Sequence, residues 1–209
     1  MAAAQPAVLR PAPDGPATAP GGAALRRAAA TETLGIVGAP FALAAKLVES
    51  AGFDAIYLSG AAFSAGTLGV PDIGLFTRDQ LVEQTRILAR AVSVPVVVDA
   101  DTGFGGPQDV EETVRLLEAA GAAAIQLEDQ RGADKRCGHL AGKQVIDPGE
   151  MAEKLAAAAA ERNRAKFHTL LTGKVGVGGI YDLARRAGAW RRGERFDASH
   201  GGAEEGAET

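Results

Sequence analysis

The chain has 209 residues, 46% of them hydrophobic and 23% charged, with a formal net charge of -4. These are ordinary globular values, sufficient for one domain with a real core, and they give no general case for nucleic-acid or membrane binding. No apolar run is long enough to span a bilayer, and the single cysteine excludes an internal disulfide and fits a reducing compartment.

Met1 to Gly22 is rich in Ala and Pro and lacks periodicity, so residues 1–24 are expected to form a disordered arm. Arg10, Arg26 and Arg27 faintly suggest a mitochondrial presequence, but the prolines oppose an amphipathic helix. The expected location is the cytoplasm, with the mitochondrial matrix as the alternative. Leu34–Gly38 is a short apolar strand, followed by a helix with Leu43, Leu47, Val48 and Ala51 on one face and Gly52 as its stop. Ala55–Ser59 is the next strand, and Gly60–Gly74 is expected to be a long loop. Thr77 and Gln80 form a capping box for a helix with an apolar stripe of Leu81, Val82, Thr85, Leu88, Ala89 and Val92. A third strand runs through Val96, Val97 and Val98. Pro107 then opens a helix whose early acids Asp109, Glu111 and Glu112 complement its dipole. Its stripe is Val110, Val114, Leu117 and Ala120. Ala123–Leu127 is the fourth strand, Asp147–Glu150 starts a helix running to about Arg162, and Phe167–Leu171 is a candidate fifth strand.

Strands alternating with amphipathic helices imply right-handed crossovers and a parallel sheet, and near-continuous apolar strands imply burial on both faces. A (β/α) barrel and an open doubly wound sheet both fit that pattern. Ser59, Asp99 with Asp101, and Glu128 end successive strands, and only a barrel brings such ends to one rim. The expected fold is therefore α/β of the TIM-barrel type, over residues 25–172 and covering about the first half of a barrel. Residues 173–209 read as an irregular or disordered tail, Gly-rich, then Arg-rich, then Gly/Glu-rich. Gly173-Lys174 and Gly176–Gly179 match neither phosphate-loop spacing, and the arginines of the tail read as solvated.

The chemistry gathers in a few residues. Asp99 and Asp101 stand two apart and would share one side if the strand ran through both. With Glu128 they make a hard oxygen set suited to Mg²⁺, although strand-end acids also cap loops. Zn²⁺ is disfavoured because no His cluster accompanies them. Asp72 follows Pro71 and reads as a turn residue or a further acid at the rim. Cys137 lies between Arg136 and Gly138-His139. Nearby cations favour a reactive thiolate, whereas the ordinary fate of a lone cysteine is burial. His139 is either a proton-transfer partner or a loop donor. Lys135 and Arg136 are candidates for a substrate carboxylate. Ser59, Gly60 and Ala61 can offer a hydroxyl and close backbone N–H groups to a carboxylate.

Five segments in order, Tyr57–Gly60, Leu68–Gly74, Val98–Gly105, Glu128–Gln130 and Lys135–His139, together resemble the isocitrate lyase and phosphoenolpyruvate mutase superfamily. Each is modest alone, and jointly they are highly specific over roughly residues 34 to 165. The Lys-Arg-Cys-Gly-His loop looks like the 2-methylisocitrate lyase branch. That resemblance implies a Mg²⁺-dependent carbon–carbon lyase that cleaves 2-methylisocitrate to pyruvate and succinate. Asp99 and Asp101 would hold the metal, with Glu128 and Asp72 nearby. Ser59, Gly60 and Ala61 would hold the pyruvate-like end, with Ala61 in place of a commoner Gly. Cys137 would protonate the departing succinate half, Gly138 would contact its carboxylate, and Arg136 and His139 would belong to the same catalytic loop. It also implies a small carboxylic acid as ligand, no nucleic-acid or membrane partner, and a homo-oligomer when the barrel is complete. The family's later Arg-Thr-Asp segment and strand-end Glu are not recognisable after about Lys166, so a truncated or frameshifted product is expected. The alternatives are an oxaloacetate decarboxylase or phosphorylmutase-like relative, which generally lack the loop cysteine, and a non-catalytic fragment that pairs with an intact subunit.

Overall fold

The computed structural model describes residues 21–31, 33–137, 140, 142–164, 170–174 and 180–182. Its first elements are α1 (Gly21–Ala29), β1 (Ile36–Gly38), α2 (Ala42–Ser50), β2 (Ala55–Leu58) and α3 (Gly60–Phe63), which continues into a π-helical turn (Ser64–Leu68). Then come α4 (Arg78–Ala91), β3 (Val96–Asp99), α5 (Pro107–Ala120), β4 (Ala124–Glu128) and a 3-10 turn (Gly132–Asp134). The last described elements are α6 (Pro148–Arg164), β5 (Leu170–Lys174) and β6 (Ile180–Asp182).

The strands lie in the order β1-β2-β3-β4-β5-β6, with β1 to β5 parallel and β6 antiparallel to β5. A doubly wound sheet reverses its strand order part-way. Here each new parallel strand joins the one before it, which is the winding of a (β/α) barrel. The carboxyl ends of β2, β3 and β4 therefore stand side by side.

Alternation along these strands separates two environments. Ile56, Leu58, Val96, Val98, Ile125 and Leu127 face the helices and pack with Leu81, Leu88, Val110, Val114 and Leu117. The other face begins with Ala55, Val97 and Ala124, which pack around Leu25 of α1. Higher on that face come Tyr57, Asp99, Gln126 and Glu128, so the apolar base gives way to a polar rim. The Thr77 capping box is present, with Gln80 N donating to Thr77 Oγ1 at 3.2 Å and Thr77 N to Gln80 Oε1 at 2.8 Å. The expected stripes of α4 and α5 are buried throughout.

Four expectations need correction. Gly21–Ala24 belong to α1 rather than to a disordered arm, because Leu25 finds an apolar seat under the sheet. On α2, Leu43 and Leu47 are 58% and 54% exposed, while Ala45 is buried. β1 is the edge strand of the described sheet, so only the side of α2 with Ala44, Ala45 and Val48 packs on the core. The stretch after Gly60 is helical before it loops, capped by Ser59, whose Oγ accepts from Ala62 N at 3.4 Å. Finally, β5 continues through Gly173 and Lys174, which were expected in the tail, because backbone pairing carries it alongside β4 to the Glu128↔Lys174 partners. β6 also falls within that expected tail; it pairs with β5 by backbone register.

Leu117 is fully buried between α5 and the sheet. Leu117→Ala is expected to cost about 2–5 kcal/mol in urea denaturation, whereas Leu43→Ala on the exposed side of α2 should stay within about 0.5 kcal/mol of the parent.

Candidate active site

The rim is built around the turn that follows β3. The strand stops at Asp99, and Asp101 takes a left-handed backbone with φ 55°. The two acids are therefore not successive same-face strand residues, as the sequence suggested. The turn folds back instead, and Asp101 N donates to Asp99 Oδ1 at 3.1 Å. Asp99 Oδ2 accepts from Gly60 N at 3.3 Å, which joins the end of β2 to the end of β3. Gly103 follows at φ 87°, where a Cβ would lie 2.6 Å from Val110 Cγ2. Only glycine satisfies both the backbone sign and the space there.

Asp101 is nearly buried, and its Oδ2 lies 2.8 Å from Lys135 Nζ. Lys135 also pairs with Asp72, so one ammonium joins carboxylates from two other loops. Its side chain is 6% exposed, against 11% for Asp72 and 7% for Asp101. Burial alone would lower the Lys135 ammonium, but the two carboxylates outweigh it and hold it well above its ordinary range. Burial raises the Asp101 carboxyl, and the Lys135 ammonium works against that rise. Beneath the pair, Phe76 makes edge contacts with Phe63 and Phe104, and the Lys135 ammonium sits 5.9 Å from the Phe76 centroid. A cavity of about 460 Å³ opens here, with Asp101, Lys135, Gln130, Phe104, Glu150 and Lys154 in its wall.

Gln130 and Tyr57, to which the sequence alone assigns no role, both shape the site. The Gln130 amide clasps the backbone of Arg136: Arg136 N donates to its Oε1 at 3.1 Å, and its Nε2 donates to Arg136 O at 3.0 Å. The same Nε2 donates to Glu128 Oε1 at 3.1 Å. The Glu128 side chain thus joins the base of the Lys135–Cys137 loop, while its backbone N–H donates to Asp101 O at 2.9 Å. Tyr57 stands within hydrogen-bonding reach of Asp99 and Gln126, and burial followed by the Asp99 charge drives its phenol far up. The sequence signal for Gln130 was its place beside the strand-end acids Glu128 and Asp129; Tyr57 had none, because its partner Asp99 lies on another strand.

Cys137 is free and half-buried. It does not line the cavity beside Asp101, although it lies two residues from Lys135. Arg136 is exposed. Gly138 and His139 lie outside the described residues. The Ser59 hydroxyl and the Gly60 N–H are used as a helix cap and an Asp99 donor, and Ala61 follows them in α3. Among the described residues no group of three or more His, Cys, Asp or Glu forms a metal cluster. The donor chemistry nonetheless fits a hard cation. Mg²⁺ needs only one or two carboxylates beside waters, and Asp101 Oδ2 is buried, met among the described residues by the Lys135 ammonium at 2.8 Å.

A sequence model of the phosphoenolpyruvate phosphomutase family matches residues 26–204. The chain belongs to the phosphoenolpyruvate mutase/isocitrate lyase superfamily. It is 50% identical over 143 residues to a 2-methylisocitrate lyase of Aeropyrum pernix, covering 68% of this chain and 46% of that protein. Among solved structures it resembles a 2,3-dimethylmalate lyase with TM-score 0.70 and 33% identity, covering 75% of this chain and 52% of the other. It also resembles a phosphonopyruvate hydrolase in complex with oxalate and Mg²⁺, with TM-score 0.64 and 31% identity, covering 82% and 58%. The chain spans about half the length of the curated superfamily relatives it matches.

Two outcomes follow from these contacts. Lys135→Met leaves Asp72 and Asp101 as uncompensated buried charges, and with a chelator present it should lower urea stability by about 3–5 kcal/mol. Tyr57 keeps its proton in the folded chain where an unfolded tyrosine ionises near pH 10. Its contribution is complete below that pH and is lost as pH rises beyond it. Denaturation between pH 8 and 11 in chelator should show that decline, and Tyr57→Phe should make it shallower.

Proposed function

We propose that this chain carries the rim machinery of a Mg²⁺-dependent carbon–carbon lyase of the 2-methylisocitrate lyase type, cleaving its substrate to pyruvate and succinate. The observation that carries this reading is the meeting of Asp72, Asp101 and Lys135 from three separate loops at one buried spot, with Asp99 bonded to the Asp101 backbone and Cys137 two residues beyond Lys135. The relatives named 2-methylisocitrate lyase support the reaction class.

On this reading Asp99 and Asp101 hold the metal, with Asp72 and Glu128 close by. When bound, Mg²⁺ would supply positive charge to the substrate hydroxyl oxygen, which gives up its proton to solvent and becomes the pyruvate carbonyl as the electron pair of the broken carbon–carbon bond passes to the succinate half. The chain's own residues do the rest. Ser59, Gly60 and Ala61 bind the pyruvate-like end, at the carboxyl end of β2 beside Asp99. Gln130 fixes the backbone from which Cys137 extends. The Cys137 thiol delivers a proton to the departing succinate half. Gly138 contacts that half's carboxylate, and Arg136 and His139 attend from the same loop. The ligand class is a small polycarboxylate, the location is the cytoplasm, and a homo-oligomer is the form expected of the enzyme.

The decisive assay is pyruvate release from 2-methylisocitrate with and without Mg²⁺, beside 2,3-dimethylmalate and oxaloacetate. Release should require Mg²⁺, and Cys137→Ser should reduce it by at least about 100-fold, the scale of a lost general acid. Faster turnover of oxaloacetate, or full activity in Cys137→Ser, would overturn the assignment.

A further inference from the structure

Lys154, on α6, is 5% exposed and lines the cavity beside Asp101. Its ammonium donates to the Thr102 carbonyl at 2.7 Å and makes no ion pair among the described residues. The carboxylates that surround it, Glu150, Asp109 and Asp101, act only at longer range. Burying an ammonium on a single hydrogen bond is a poor route to stability. An apolar side chain of similar length would fill the same space at less cost.

The acceptor explains the placement. The turn after β3 reverses through left-handed residues at Asp101, Gly103 and Phe104. Its carbonyls are held one by one. Ala100 O accepts from Gly103 N, and Asp101 O accepts from Glu128 N. Gly103 O accepts from Thr113 Oγ1 at 3.2 Å. Thr102 O has Lys154. Thr102 N, on the other side of the same residue, donates to Asp101 Oδ1 at 2.8 Å. A shift of Thr102 would therefore turn the Asp101 carboxylate away from Lys135. A non-glycine residue at positive φ has an accessible, lower-energy alternative and stays put only when its neighbours hold it.

We propose that Lys154 is a positioning residue: from α6 it fixes the Thr102 carbonyl, and so sets the left-handed Asp101 whose carboxylate serves the site. Its consequence for metal binding rests on the reading given under Proposed function. Its consequence for the turn does not.

The test compares the full chain with Lys154→Met and Lys154→Arg by three measurements: hydrogen exchange of the amides of residues 101–105, Mg²⁺ affinity by calorimetry, and the thermal midpoint. Lys154→Met should speed exchange in the turn by about tenfold or more. It should also weaken Mg²⁺ by about tenfold, the lower end for loss of a supporting contact behind a metal ligand. The midpoint should fall little, because removal of an unpaired buried charge offsets the lost hydrogen bond. Arginine should restore both exchange and affinity. Turn exchange and Mg²⁺ affinity at parental values in Lys154→Met would overturn the proposal, as would failure of arginine to restore them. If the parent chain itself takes up no Mg²⁺, the metal reading fails, and turn exchange alone decides the role of Lys154. Should the Met variant not fold, Lys154→Gln carries the same measurements.

Discussion

The Lys135 ammonium bridges Asp72, 63 residues earlier in the chain, and Asp101 in the turn after β3. All three side chains are close to buried, so each charge depends on the others for compensation. That mutual dependence draws the segment before α4, the β3–α5 turn and the cysteine-bearing loop to one place. The Phe63, Phe76 and Phe104 rings below it exclude water on one side and strengthen the pairing. The same cation stands where a metal reading needs positive charge, so lysine and divalent cation would share one acidic environment.

A second layer holds that arrangement in shape. Gln130 uses a side-chain amide as though it were a strand, pairing with both backbone groups of Arg136. Gly60 ties Asp99 to the end of β2, and Lys154 ties the turn to α6. Each of these contacts joins a loop to an element already fixed by the apolar core. The division along the strands makes this possible. Ala55, Val97 and Ala124 fill the base with Leu25, which leaves the upper positions of the same face to Tyr57, Asp99, Gln126 and Glu128. Polar side chains can stand there because partners replace water: Tyr57 reaches Asp99 and Gln126, Asp99 accepts from backbone N–H groups, and Glu128 accepts from Gln130.

The chain shares its family's first strands and their loops, and it spans about half the length of the relatives it matches. The β1-to-β5 winding and the rim acids belong to the shared part. At the described edge, β1 and the outer side of α2 leave Phe41, Leu43 and Leu47 exposed. A barrel strand normally has neighbours on both sides, which is the physical context those side chains lack here.

Local chemistry was legible in the sequence. The capping pair Thr77 and Gln80, the buried stripes of α4 and α5 and the strand cores all follow from rules that act within a few residues, and the family was legible as a resemblance of five segments. What the tertiary structure decided is how distant segments meet. No spacing shows that Lys135 lies between Asp72 and Asp101, that Glu128 turns to Gln130, or that Lys154 reaches Thr102. Asp99 and Asp101 looked like same-face strand residues because alternation assumes an extended backbone, and the chain abandons that backbone at Asp101. Leu43 and Leu47 looked like core because a helical stripe reports amphipathicity, and only the sheet order reveals which helix face has something to cover it. Sequence fixes which groups carry charge and which surfaces shun water; their partners are chosen only when long-range packing brings the strand ends together.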